Sequence, residues 1–136
     1  MIIENWNKAD LRINSMELSS IEISRILNIN PTESAEKGQL MSPRNPKSQK
    51  RDCSIWILNS GLPDLEPLEN HLNILLSFIE NKQKELNILK EKCDMDIFCG
   101  LSLKGKQGGF SLGLGIIKKL SFFPIAVTFD IYIEEE

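Results

Sequence analysis

The sequence predicts an α+β fold, mainly because one pattern occurs twice. Residues 18–31 and residues 111–124 each have the pattern of a short amphipathic helix that stops at a proline. Each copy follows a strand-like run, and a long leucine-rich helix pattern lies between the two copies. The predicted order is therefore β-α-β, long α, β-α-β, with a sheet of about four strands. The nearest architecture is a ferredoxin-like half-unit used twice, with helices mainly on one face of the sheet.

The length of 136 residues predicts a single α+β domain over residues 1–136. The first strand is predicted at residues 9–15, where Ala9, Leu11 and Ile13 alternate with polar residues as in a half-buried strand. Ser19 and Glu22 then have the spacing of a capping box, which predicts the start of the first short helix. Pro31 forbids its continuation.

The sequence predicts a long basic loop at residues 32–52, because prolines, Gly38 and polar residues interrupt any helical or strand periodicity. The loop carries Arg44, Lys47, Lys50 and Arg51 as candidate partner-binding residues. Two interpretations stay open at this point. The loop is either a solvated basic segment or a docking surface for an acidic molecule.

The second strand is predicted at residues 54–60, followed by a helix that runs to about Lys92 with one break in its apolar seam, at Lys82. Leucines and one isoleucine repeat at three- and four-residue spacing along this helix: Leu65, Leu68, Leu72, Leu75, Ile79, Leu86 and Leu89. Such a seam packs across the sheet of its own chain or pairs two chains as a coiled coil. Extra apolar residues widen the stripe, which favours the first interpretation and leaves a homodimer as the alternative.

The C-terminal part repeats the first pattern. An alternating strand is predicted at residues 94–103, a turn at residues 104–109, and the second short helix from Ser111. The last strand has the clearest alternation. One face carries Ile125, Val127, Phe129, Ile131 and Ile133.

Composition argues against several functional classes. The three cysteines are an odd number without a C-x-x-C pair, and the chain has a single histidine, so we expect no disulfide framework, no metal and no cofactor. Reduced thiols fit a cytoplasmic protein. The net charge of −3 gives no general attraction to nucleic acid or to an anionic membrane, and no run is long enough to span a bilayer.

Three features invite a catalytic interpretation, and each has a simpler one. His71 lacks an obvious nucleophile or carboxylate partner, so packing or capping is the expected role. Asp94 and Asp96 share a strand face as an acid/base or metal pair would, but solvent-facing polar alternation explains them equally well. The glycine-rich turn lacks the final Lys-Ser or Lys-Thr of a phosphate loop. The prediction is therefore a non-enzymatic protein with no catalytic residues.

The order of elements and several local patterns resemble the bacterial family called domain of unknown function 4279. The patterns are the helix end at residues 26–31, the strand at residues 54–60, the helix start at residues 68–72 and the ending at residues 129–132. Lys37-Gly38 adds to the resemblance, whereas the lysine-rich loop departs from it. The match spans nearly all of the chain.

Some members of this family resemble immunity proteins that are encoded beside polymorphic or contact-dependent growth inhibition toxins. The resemblance implies a protein that binds the cognate toxin domain and covers its active site. Acidic side chains would suit a toxin with a basic substrate groove. The acidic candidates are Asp64, Glu66, Glu69, Asp130, Glu134, Glu135 and Glu136. The alternative is a structural or regulatory interaction protein that dimerises through the leucine seam.

Overall fold

The computed structural model describes residues 5–105 and 108–134 and gives an α+β fold with four helices and five strands. The strands are β1 (Asn7–Ser15), β2 (Glu33–Ala35), β3 (Ser54–Asn59), β4 (Asp94–Lys104) and β5 (Ala126–Glu134). The helices are α1 (Ser20–Leu27), α2 (Leu68–Asn81), α3 (Gln83–Leu89) and α4 (Leu114–Phe122). The sheet order is β2-β3-β1-β4-β5, so β2 and β5 are the edge strands.

The sheet is mixed. β4 and β5 pair in parallel, as the predicted β-α-β unit requires. In contrast, the Ser60 N–H donates to the Ala9 carbonyl at 3.2 Å, which sets the end of β3 beside the start of β1. The Ser102 N–H donates to the Trp6 carbonyl at 3.0 Å in the same way, so β1 runs antiparallel to both of its neighbours. The predicted ferredoxin-like repetition of two β-α-β halves is therefore not confirmed.

The sheet has five strands and not about four, because β2 lies inside the segment predicted as structureless. β2 pairs antiparallel with β3 through three residues, a length too short for any periodic pattern in the sequence. Backbone hydrogen bonds also order the rest of this segment. Leu40 and Lys50 form a β-bridge, and the Met41 N–H donates to the Gln49 carbonyl at 2.8 Å. Residues 32–52 are therefore a short edge strand followed by a hairpin-like excursion.

The predicted long helix is two helices. α2 ends at Asn81, and Lys82 leaves helical geometry with φ −116° and ψ 22° before α3 begins. The helix break falls at the single interruption of the leucine seam. Of the seam residues, all are buried except the first, Leu65.

By contacts the chain divides into two compact units. Unit 1 consists of residues 1–11, 59–81 and 96–136, and unit 2 of residues 12–58 and 82–95. In unit 1, α2 contacts α4, and the buried core includes Leu72, Leu75 and Leu101. In unit 2, α1 contacts α3, and Trp56 is the largest buried side chain.

Local sequence signals account for both ends of α1, the first short helix. The capping box of α1 is present, since the Ser19 hydroxyl accepts from the Glu22 N–H at 3.1 Å and the Glu22 carboxylate accepts from the Ser19 N–H. Asn28 ends the helix in the left-handed region at φ 54°, three residues before the proline. The last short helix, in unit 1, begins at Leu114 and not at Ser111.

Candidate protein-binding surface

Strand β5 forms one edge of the sheet and exposes large apolar side chains. Ile131 is 42% exposed, Tyr132 49% and Ile133 71%. Their partners in the parallel register on β4 are Leu101, Ser102 and Leu103, of which the first two are buried. A free edge with exposed apolar side chains invites pairing with other chains, so proteins usually protect such edges. An edge that keeps these side chains exposed is therefore typical of an interaction site. We call residues 129–134 the β5 edge.

The burial of β5 decreases along the strand. Val127, Phe129, Ile131 and Ile133 face the same side as the buried β4 residues, as the alternation in the sequence predicts. The Phe129 ring lies 4.9 Å from the ring of Phe110, which shields it from solvent. The last two isoleucines are exposed, so the second half of the apolar face is open to solvent.

The opposite face of the β5 edge carries an aromatic pair. The rings of Trp6 and Tyr132 lie 5.3 Å apart, and the Lys8 ammonium group lies 5.6 Å from the centre of the indole. A Cβ atom at Gly100 would lie 3.4 Å from the indole, so the Trp6 ring rests directly on the backbone of β4. Distant sequence positions thereby form one half-exposed aromatic group beside the apolar edge.

Carboxylates flank these aromatic side chains. Asp130 accepts a hydrogen bond from the Tyr132 hydroxyl, and this bond together with the negative charge raises the pKa of Tyr132 above its usual value of 10.0. Glu134 forms an ion pair with Lys104. Of the predicted acidic candidates, these two therefore lie on the β5 edge. Glu135 and Glu136 lie outside the described residues.

The remaining acidic candidates lie just before α2 or in its first turn, and the structure gives them different roles. The Glu69 carboxylate accepts the Gly113 N–H at 2.6 Å and so caps the first turn of α4. The Glu66 carboxylate accepts from the Asn70 side chain at 2.9 Å on the surface. Asp64 is exposed, and its backbone carbonyl accepts the Asn7 N–H at 2.7 Å. Glu69 is thus engaged in holding the fold.

All four basic candidates belong to unit 2. They lie in the hairpin-like excursion that follows β2. Hydrogen bonds to the Glu36 carboxylate hold the start of this excursion in place, and their donors are the backbone N–H and hydroxyl of Ser20 and the hydroxyl of Ser54. Three of the four are exposed and the fourth is half-buried: Arg44, Lys47 and Lys50, and Arg51, respectively. The acidic and basic candidates therefore fall in different units.

The two units differ in charge. Unit 1 contains eleven acidic and five basic residues, a formal charge of −6, whereas unit 2 contains eight acidic and eleven basic residues, a formal charge of +3. The net charge of −3 for the chain hides this difference. The β5 edge belongs to the acidic unit, so a positively charged partner is favoured at long range.

Within unit 1, α4 adds a second set of apolar side chains at the surface. Ile116 is the buried residue of this helix. Three large apolar residues of the same helix are exposed: Leu114, Ile117 and Phe122. Unit 1 therefore combines a negative charge with two exposed apolar groups, a composition that suits protein recognition more than a small-molecule cleft.

The single histidine is in the core. His71 is 1% exposed, and its Nδ1 atom lies 2.6 Å from the Ser60 hydroxyl. Its Nε2 atom has no hydrogen-bond partner among the described residues. The imidazole therefore packs against Ser60 in the core of unit 1, in the packing role that the sequence suggested.

Two cysteines, Cys93 and Cys99, have raised pKa values. Burial, followed by the charges of Asp10 and Asp96, raises the pKa of Cys99 to about 12. Burial raises the pKa of Cys93, a hydrogen bond with the Ser15 side chain opposes this rise, and the charges of Asp94 and Glu17 add to it. Cys93 and Cys53 line a surface depression of about 400 Å³ in unit 2.

In residues 5–105 and 108–134, no group of three or more His, Cys, Asp or Glu side chains is arranged to hold a metal ion. Asp96, one of the two predicted carboxylates, accepts a hydrogen bond from the Thr128 hydroxyl at 2.7 Å. Across those residues, the helices are all too short or too polar to cross a bilayer.

Comparisons with known proteins identify the family. Neither a search of curated proteins nor a search of solved structures found a match to the chain. The model of one protein family, described as "Domain of unknown function (DUF4279)", matches residues 4–134. This match covers nearly the whole chain, including every helix and strand from β1 to β5. The chain therefore belongs to the DUF4279 family of proteins.

Proposed function

We propose that this protein is a bacterial immunity protein that acts in the cytoplasm, binding a cognate polymorphic or contact-dependent growth inhibition toxin and covering the toxin's active site. The observation that carries the proposal is the β5 edge, where exposed isoleucines and an aromatic pair lie beside carboxylates. Apolar anchors surrounded by charge are the usual composition of a surface that captures another protein.

The charge of unit 1 supports a basic target. A toxin that cuts nucleic acid needs a positively charged substrate groove, and a unit with a formal charge of −6 would attract such a groove. Electrostatic attraction mainly speeds the encounter, whereas the apolar contacts set how long the complex lasts. Both contributions are needed for an inhibitor that must act before the toxin does.

The environment of the reactive side chains supports binding over catalysis. His71 is enclosed in the core against Ser60, and the raised pKa of Cys99 keeps its thiol protonated at neutral pH. A general base or a thiol nucleophile needs access to substrate and a pKa near the working pH. These side chains instead have the surroundings of structural groups.

The proposal predicts a toxin domain encoded beside this gene, and co-expression with that domain tests it. The wild-type protein should restore growth and co-purify with the toxin domain. Ile133→Asp should weaken rescue because it places a charge on the apolar edge. Ile21→Asp is the matched control, since it makes the same change at an isoleucine of unit 2 that is 66% exposed. Continued killing by the toxin in the presence of soluble wild-type protein, without co-purification, would contradict the proposal.

A further inference from the structure

We infer that the partner contributes an extended segment that pairs with β5 as a sixth strand of the sheet, and that this segment alternates apolar and basic residues. The inference rests on the proposed function and deepens it by naming the mode of binding. It is carried by the direction of the backbone groups of β5, by the apolar side chains on one face and by the carboxylates on the other.

The backbone of β5 presents alternate residues to the free edge. The Glu134 carbonyl accepts the Gly105 N–H at 3.1 Å, so the backbone groups of Glu134 point toward β4. In a strand, the N–H and C=O groups of one residue point to the same side, and those of the next residue point to the other side. The residues whose N–H and C=O groups point away from β4 are therefore Val127, Phe129, Ile131 and Ile133.

These four residues form a ready template for another strand. Unpaired backbone groups along an edge are satisfied by water or by a partner, and the described backbone hydrogen bonds outside the strand ladder include none to these four. The whole of β5 is nine residues long, which is enough to pair with a segment of ordinary strand length. Main-chain pairing of this kind supplies affinity, whereas the alternate side chains of the added segment supply specificity.

The two faces of β5 define the chemistry of the segment. On one face, Ile131 and Ile133 would gain cover from apolar side chains of an added strand. On the other face, Asp130, Tyr132 and Glu134 would lie beside the intervening side chains of that strand. Lysine or arginine there would meet carboxylates and the face of a tyrosine ring.

The same charges disfavour a second copy of this chain as the occupant. Two β5 edges would bring two units of formal charge −6 together. A basic segment instead reduces the charge at the interface, which is why we commit to a partner of opposite charge.

A peptide probe tests this pairing without requiring the toxin. The probe is a capped seven-residue peptide that alternates valine and lysine, and its control alternates valine and glutamate. Amide hydrogen exchange in isotope-labelled protein is then followed by NMR. With the lysine peptide, exchange at Val127, Phe129, Ile131 and Ile133 should slow at least tenfold, with much smaller changes at the inward-facing residues between them. The glutamate peptide should cause no such protection.

Two variants separate backbone pairing from side-chain contact. Ile131→Pro removes an outward N–H that the ladder with β4 does not use, so it should weaken binding of the lysine peptide at least tenfold. Ile131→Thr keeps the N–H and the branched side chain and should bind within about threefold of wild type. N-methylation of alternate peptide amides blocks the same hydrogen bonds from the peptide side, so the test stands even if the proline variant does not fold.

The outcomes distinguish the inference from the proposed function. No binding of the lysine peptide, protection outside β5, or equal binding by the proline and threonine variants would each overturn strand pairing. If the toxin binds wild type and Ile131→Pro equally, the immunity function stands and strand pairing fails. If the lysine peptide protects β5 but no toxin is neutralised, strand pairing stands and the immunity function fails.

Discussion

Tyr132 is a natural probe of the candidate surface because it is the single tyrosine of the chain. The hydrogen bond to Asp130 and the charge of that carboxylate stabilise the neutral phenol, so the pKa of Tyr132 is raised above 10.0. Titration followed by absorbance at 295 nm should show a single phenol that ionises later than free tyrosine. Asp130→Asn should lower the midpoint, because the amide removes the negative charge. An unchanged midpoint in Asp130→Asn would show that this contact does not form in solution.

Cys99 should be the least reactive thiol. Its pKa of about 12 leaves very little thiolate at pH 8, and its side chain is fully buried. With a disulfide reagent such as Ellman's reagent, we expect it to be labelled only after unfolding in urea, whereas the half-buried Cys53 reacts in the folded protein. Cys53→Ser and Cys99→Ser assign the two phases. Fast labelling of Cys99 in the folded protein would contradict its buried position.

The raised pKa of Cys99 also gives stability a pH dependence of defined sign. The folded protein holds the thiol proton to about pH 12, whereas the unfolded chain loses it near pH 9.0. The contribution is therefore fully present below pH 9 and is lost as pH rises toward 12. At pH 10 the free energy of unfolding should have fallen by roughly 1 kcal/mol from this group. Urea unfolding of Cys99→Ala at the same pH values should lack this part of the slope.

At the scale of elements, the cap on α4 joins two helices of unit 1. Glu69 of α2 accepts the Gly113 N–H at the start of α4, and Lys119 of α4 donates to the Asn73 side chain at 3.1 Å. Glu69→Ala leaves a helix-terminal N–H without its charged acceptor, so we expect a loss of about 1–2 kcal/mol in urea unfolding. Glu66→Ala removes an exposed hydrogen bond between α2 and the residues just before it, and should cost less than about 0.5 kcal/mol. Equal losses would show that Glu69 does not cap α4.

At the scale of the whole molecule, the leucine seam is core. Leu72 is fully buried, so Leu72→Ala should destabilise the protein by about 2–5 kcal/mol, while Ile74→Ala, at an exposed site of the same helix, should cost less than about 0.5 kcal/mol. Leu72→Glu should unfold the protein, because it buries a charge. A dimer formed through the seam predicts instead a folded monomer for Leu72→Glu. Circular dichroism and light scattering on the same samples separate these results.

Local signals were enough for much of the fold. The alternation in β1, the capping box at Ser19 and the buried leucines of α2 are all present as the sequence predicts. Two kinds of element were missed. β2 is only three residues long and pairs because β3 offers a free edge there, and the long helix divides because Lys82 departs from helical geometry. A three-residue strand is too short to show a repeating pattern, and the break of the seam at Lys82 did not by itself indicate that the helix ends there.

The candidate surface was only partly predictable. Asp130 and Glu134 were candidates from their charge, but the same reasoning selected Glu69, which the structure uses as a helix cap. No pattern in the sequence pairs Trp6 with Tyr132, yet the two rings are neighbours because β1 and β5 both flank β4. Contacts across strands depend on sheet order, and sheet order is a long-range property.

By itself the sequence determined the α+β class, most of the helices and strands, and which side chains of each are apolar, because alternation and helical periodicity are local consequences of backbone geometry. Tertiary structure alone decided which strand is left at the edge, why Ile131 and Ile133 are exposed although their pattern is that of a buried strand, and how a net charge of −3 divides into an acidic and a basic unit. These properties depend on which distant segments of the chain pack together, so no local sequence pattern indicates them.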